Sequence, residues 1–202
     1  MEKSGCWTSI FPSVKNKRRC NFAQKSSGSM KVMAQQIHDL LIAEFRRRLF
    51  DEGVILIKKS LRLMREEQSW HRPNDNSNSA GNLVLHLCGN VRQWIVSGLG
   101  KADDVRTRQA EFDETGPVPT EKMLADLDAV MADVEKVLDD LRPEDLVADH
   151  WVQGYTESGL SILVHVVEHF SYHVGQITYI VKALNDLDVG YYAGQELNNP
   201  KK

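Results

Sequence analysis

The sequence predicts an all-α chain: a four-helix bundle with one long crossover connection. Three observations point that way. Four stretches, at about 33–64, 79–99, 120–141 and 161–184, carry apolar residues at helical spacing. No stretch reads convincingly as a strand. The connection over 100–119, closed by Gly116, Pro117 and Pro119, is too long for a tight helical hairpin. Some 20 residues reach roughly 60 Å when extended. The chain can therefore run back along a helix and start the third helix in the direction of the second, unlike a simple up-and-down bundle.

The first helix is expected from about Met33 to Met64. Ile37, Leu40, Leu41, Phe45, Leu49, Val54, Ile57, Leu61 and Met64 form its apolar face, and Gly53 marks a bend. Pro73 and the run from Asn74 to Asn78 end it. The second helix begins near Ser79 and stops at Gly98 and Gly100. Asn82, His86, Asn90 and Gln93 lie on it at steps of four, four and three, so they form one polar stripe. Val84, Leu85, Leu87 and Val91 border that stripe, which aims it inward. Thr120 can cap the third helix, whose apolar face runs from Leu124 to Leu141, and Pro143 stops it. A second connection, at about 143–158, carries Trp151 and Tyr155.

The fourth helix, 161–184, is apolar nearly all round, as a helix buried on most sides would be. Into it the sequence sets His165, His169 and His173. A step of four advances about 400°, so each imidazole lies one turn above the last. Buried imidazoles are costly without partners for their nitrogens, and neutral imidazole is the commonest metal ligand. One such helix is only a moderate metal signal, since a lone buried His is usually hydrogen-bonded in a core. His86, facing inward from the second helix, is the third ligand that strengthens it. Three neutral nitrogens and an open position suit catalytic zinc, and imidazole also suits nickel and iron. The Glu-x-x-His pairs of ferritin-like sites are absent, as is HExxH.

These two stretches resemble the DinB-like metalloenzyme family. Asn78-Ser79-Ala80-Gly81-Asn82-Leu83-Val84-Leu85-His86-Leu87-Cys88-Gly89-Asn90 is similar to its second-helix motif, and Glu168-His169-Phe170-Ser171-Tyr172-His173-Val174-Gly175-Gln176-Ile177 to its fourth-helix signature. The resemblance covers about Met33 to Tyr192. It implies a four-helix bundle with one crossover and a metal triad at His86, His169 and His173. It also implies chemistry of the kind found in relatives that use small-molecule thiols, in transferases and isomerases. The expected function is a metal-dependent hydrolase or thiol-dependent transferase acting on a small molecule, with zinc, nickel or iron and a low-molecular-weight thiol as cofactors. The alternative is a stress-related or interaction protein whose metal is structural. His165 is expected to be a core histidine. Asn90 and Gln176 could orient an imidazole or a water. Glu168 is a weak general-base candidate, about 100° round from His169. Arg106, Arg108 and Glu111 could meet a charged substrate, although surface salt bridges are commoner.

Composition excludes several classes. Of 202 residues, 42% are hydrophobic and 26% charged, as in ordinary globular proteins. The net charge of -3 gives no footprint for nucleic acid, and the histidines, Glu168 and Gln176 argue against a membrane span. Cys6, Cys20 and Cys88 form no disulfide framework, which favours a reducing, cytoplasmic setting. A homodimer is expected, through Phe45, Phe50, Tyr179 and Tyr191. Residues 1–32 read as a basic, disordered extension, and 33–202 as the bundle. A chain beginning at Met33 is therefore expected to melt at nearly the same temperature as the full chain. A large loss would show that the extension packs on the bundle.

Overall fold

The computed structural model describes residues 17–196 and residue 198. In order these are α1 (Lys17–Arg46), a π-helical segment (Arg47–Val54), α2 (Ile55–Arg62), α3 (Glu66–Ser69), α4 (Ala80–Val91), a second π-helical segment (Arg92–Leu99), α5 (Arg108–Asp113), α6 (Thr120–Asp140), α7 (Pro143–Val147), β1 (Asp149–Val152), β2 (Tyr155–Ser158) and α8 (Gly159–Asn185). The chain divides into two units, 1–37 and 38–202. In the first, helix begins at Lys17 and not near Met33. No proline interrupts 17–32, and a helix once nucleated extends at little cost per residue, here through the linker-like run Ser26-Ser27-Gly28-Ser29. Met30, Val32, Met33 and Ile37 are exposed. Residues 1–16, with Cys6, and the final Pro200-Lys201-Lys202 lie outside the described residues.

The second unit is the bundle. Its first arm buries Phe45, Leu49, Val54, Ile57 and Leu61, whereas Leu40 is exposed. The second arm, α4 and its π-helical continuation, is buried on nearly every side, from Ala80 to Leu99. α6 contributes Met123, Leu124, Leu127, Met131, Val134 and Leu138. α8 contributes Ile162, Leu163, Val166, Phe170, Val174, Ile177 and Val181. Burying each Leu, Ile or Phe fully is worth about 1.5–3 kcal/mol. α2 packs on α8 and α6, and α4 packs on the same two helices, which closes a square of four arms. α8 is less enclosed than its composition suggests, because Leu160, Val164, Tyr172 and Tyr179 form an exposed stripe.

The crossover can be followed by its bonds. Ala102 N–H donates to Val96 O at the end of the second arm. Gln93 Nε2 then donates to Asp104 Oδ2, and Asn82 Nδ2 to the carbonyls of Glu111 and Glu114. Trp70 Nε1 finally donates to Val118 O. The chain thus returns alongside the second arm from its end to its beginning, and α6 starts where α4 starts. Ser79 fixes that start: its hydroxyl accepts from Asn82 N–H, and Asn82 Oδ1 accepts from Ser79 N–H.

Two expectations change. The connection at 143–158 contains an antiparallel hairpin pairing Asp149 with Ser158 and Val152 with Tyr155. Its turn, Gln153-Gly154, takes positive φ at both residues (51° and 89°), the geometry that matches hairpin twist. Thr120 is the first helical residue and makes no cap bond; Pro119 occupies the cap position. The dimer argument also narrows, although the oligomeric state is a separate matter. Phe45 is buried, Phe50 packs on the core, and Tyr191 shares hydrogen bonds with Ser60 and Thr178, so only Tyr179 stays exposed.

Gly53 lies in the first π-helical segment, against Phe170 of α8. A methyl there would come within 2.7 Å of Phe170 Cδ1, and Phe170 is fully enclosed. Gly53→Ala is expected to cost about 1–3 kcal/mol through overpacking, read as a melting temperature several degrees lower. An unchanged melting temperature would mean that the Phe170 ring can move aside freely.

Candidate metal centre

His169 and His173 lie one turn apart on α8, and α4 brings His86 to meet them. One ligand nitrogen from each falls within 4.8 Å of the others. His86 Nε2 is 2.9 Å from His169 Nε2, and the His169 and His173 ring centroids are 4.5 Å apart. His86 and His173 are buried, and His169 is half-buried. Sequence spacing supplied the two stripes, and the α4–α8 contact brings them together.

The far nitrogens are tied down. His86 Nδ1 lies 2.8 Å from Glu111 Oε2. Arg106 Nη2 also lies 3.1 Å from Nδ1, and a guanidinium only donates, so the two neighbours ask opposite roles of this nitrogen. Arg106 Nη2 already donates to Glu111 Oε2, and the carboxylate is the shorter contact and only accepts, so Nδ1 carries the proton and Nε2 keeps its lone pair toward His169. His173 Nδ1 likewise donates to Gln176 Oε1 at 2.6 Å, which leaves its Nε2 as the free acceptor. Lone pairs converging at this distance repel unless a proton or a cation lies among them. The donor set, three neutral imidazole nitrogens with two tautomers fixed from behind, fits a borderline divalent ion.

Glu111 is held in turn. Arg106 Nε and Nη2 donate to its two oxygens at 2.6 and 2.7 Å, and Nη1 donates to Gln93 Oε1 at 2.8 Å. The Arg106 and Glu111 side chains are only 5% and 11% exposed, so this is a buried pair and not the surface salt bridge expected of crossover charges. Burial raises the Glu111 pKa, but the bonds from Arg106 and His86 outweigh it and hold the carboxyl below its ordinary value. Gly89 makes room: a Cβ there would lie 1.9 Å from Glu111 Oε1. A glycine inside an otherwise good helix was the one sequence signal of this close approach.

The profile of a family described as "Protein of unknown function (DUF1572)" matches residues 38–192. The chain belongs to the DUF1572 family. Solved structures give the fold of this DUF1572 protein. A DinB-like protein from Bacillus cereus is similar with a TM-score of 0.54 and 19% identity over 69% of this chain and 90% of that one. A DinB-like protein from Bacillus subtilis gives 0.55 and 15% over 74% and 94%. A conserved protein from Enterococcus faecalis gives 0.60 and 15% over 76% and 98%. The fold is DinB-like. No curated protein matches the chain.

The other candidate residues of the DUF1572 chain separate clearly. His165 is outside the cluster and stacks on Trp94, with ring centroids 3.8 Å apart. Glu168 lines a different cavity, with Arg48, Glu52 and Phe170, and has no place at the histidines. Cys88 is buried, and desolvation pushes its thiol up to about 12, so it stays protonated and inert. A cavity of about 360 Å³ opens beside His86 and His169, lined also by Asn90, Trp94, Arg108, Gln153 and Tyr155. The hairpin missed in the sequence supplies Gln153 and Tyr155. Among the described residues, no helix is long and apolar enough to cross a membrane.

Burial first, then repulsion from His173, His86, His165 and Arg106, lowers the His169 pKa to about 3. Burial lowers His173 and His165 as well. Below about pH 6.5 the unfolded chain therefore binds more protons than the folded one. The stability of the metal-free protein is expected to be full above pH 6.5 and to fall as pH drops from there toward 3. Glu111 adds a loss of the same sign below about pH 4.5. Melting temperatures at pH 7.5 and 5.0 check this, and His169→Gln should flatten the dependence. A profile in wild type as flat as in that variant would contradict it.

Proposed function

We propose that this chain binds one divalent ion through His86, His169 and His173 and uses it to act on a small molecule held in the adjoining cavity. The observation that carries the reading is the convergence of three imidazole nitrogens beside that cavity. When bound, zinc, nickel or iron at such a site lowers the pKa of a coordinated thiol or water, giving a nucleophile at neutral pH. The reaction class is metal-dependent hydrolysis or thiol transfer.

The chain's own residues supply the rest. His86 and His173 present Nε2 because Glu111 and Gln176 hold their Nδ1–H groups. Burial keeps His169 neutral and ready to ligate. The crossover, anchored by Arg106 and Glu111, covers His86 on one side. The hairpin bounds the cavity on another, where Trp94 Nε1 donates to Gln153 Oε1 at 2.9 Å. Half-buried His169 lines the cavity, so an ion at the cluster would be within reach of a small molecule.

The test is metal stoichiometry together with ligand access. One zinc or cobalt per chain is expected, lost in His86→Ala, His169→Ala and His173→Ala and kept in His165→Ala. The visible spectrum of the cobalt protein should change on adding a small thiol. Full occupancy in the His86 variant would refute the triad. A cobalt spectrum indifferent to thiols and small anions, with a large fall in melting temperature on metal removal, would instead mean a structural ion in a scaffold protein.

A further inference from the structure

The cavity beside the histidines contains polar groups that no partner among the described residues satisfies. Asn90, one turn after His86 on α4, is only 3% exposed and lines the cavity. Its Oδ1 has no hydrogen-bond partner among the described residues, and neither has Nε2 of His165, which lines the same space. Leaving a buried acceptor unmade is expensive, so the cavity calls for a molecule that brings a donor. The fixed charges at its wall are Arg106, Arg108 and Glu157, with Glu111 behind Arg106. Arg106 and Glu111 neutralise each other. Glu157 Oε2 accepts from Ser161 Oγ at 2.6 Å. Arg108 differs: among the described residues it forms no ion pair, and its guanidinium lies 4.9 Å over the Phe112 ring. Phe112 in turn packs on His86, with centroids 4.8 Å apart. The free cation is thus held one ring away from the histidine cluster.

We propose that this cavity recognises a small molecule bearing an anionic group and an N–H or O–H donor, with Arg108 reading the anion and Asn90 the donor. An exposed guanidinium held over an aromatic ring is pre-positioned for a carboxylate, phosphate or sulfonate. Asn90 Oδ1 can only accept, so an amine, amide N–H or hydroxyl suits it and an ether or ester does not. His165, stacked on Trp94, adds a flat floor against which the body of the molecule can lie. Glu157 at the same wall favours an amine among the possible donors.

This inference takes from the proposed function only the placing of a thiol near the histidines, and the experiment separates the two. Three thiols serve as probes: cysteine has a carboxylate and an amine, 3-mercaptopropionate lacks the amine, and cysteamine lacks the carboxylate. Each is titrated into zinc-loaded and metal-free protein while the Trp94 indole N–H resonance is followed. Cysteine is expected to bind about threefold to fivefold tighter than either analogue, the scale of one partly exposed charged contact. Arg108→Gln should erase its advantage over cysteamine, and Asn90→Leu its advantage over 3-mercaptopropionate. Arg108 is exposed, so its variant keeps the test valid if Asn90→Leu unfolds. Equal affinity for all three thiols, or an order unchanged in Arg108→Gln, would overturn the proposal and leave Asn90 served by water. Failure to take up zinc, with the order intact in the metal-free protein, would remove the metal reading and leave this one standing.

Discussion

A charged pair buried against a histidine in the middle of a helical bundle constrains this whole structure. Arg106 and Glu111 come from the crossover, yet both are nearly enclosed and both meet His86. Separating a buried pair by removing one partner typically costs about 3–5 kcal/mol, so the crossover cannot drift from α4. From that follow its antiparallel course past Gln93, Gly89 and Asn82, and the start of α6 at the same end as α4. Gly89 is the residue that lets the crossover come so close. The interaction that orients His86 is also the one that holds the connection to its course along α4, so site and topology share a cause.

α8 meets a second constraint, since it must bury apolar side chains while presenting imidazoles. Its steps of four place His165, His169 and His173 along the α4 side, while Phe170 and Val174 lie on the side that faces the first arm. Phe170 is accommodated by the missing side chain of Gly53, at the π-helical turn of that arm. A large ring on one helix and a glycine on its neighbour draw the two together, while the adjoining face of α8, about 60–100° round, holds two imidazoles against α4. The exposed stripe of Leu160, Val164, Tyr172 and Tyr179 is what remains of a helix whose composition looks buried throughout.

Much of this was legible in the sequence, for identifiable reasons. Helical period and the length of the 100–119 connection give the bundle and its crossover, because both are local or nearly local properties. His86, His169 and His173 stand out because polar residues bordered by apolar ones at helical steps must face inward. Arg106 and Glu111 could not be placed, because nothing local sets the register of a 20-residue connection against a helix. The hairpin was missed although Gln153-Gly154 is a fair two-residue turn; flanking strands of four residues give too little alternation to compete with a loop reading. The start of α1 at Lys17 shows the opposite limit. Polar, glycine-containing sequence reads as linker, but helix extension from a stable nucleus tolerates it.

On the proposed reading, the asymmetry of the histidine cluster sets where a bound ion would exchange its ligands. His86 is fixed by Glu111 from the crossover and His173 by Gln176 from its own helix, so two of the three rings have their outer nitrogens anchored. His169 completes the triangle, half-buried, with His165 and Trp94 stacked beyond it along the cavity wall. Its neutrality comes from burial and neighbouring charge, not from a hydrogen bond that fixes its ring. An ion held by two anchored rings and one adaptable ring can change its coordination with little rearrangement of the bundle, because only the His169 side need move. That side borders the cavity where, among the described residues, Asn90 Oδ1 has no partner and Arg108 no ion pair. The least constrained imidazole and the unsatisfied polar groups therefore face the same space, as the proposed exchange and binding at a single mouth would require.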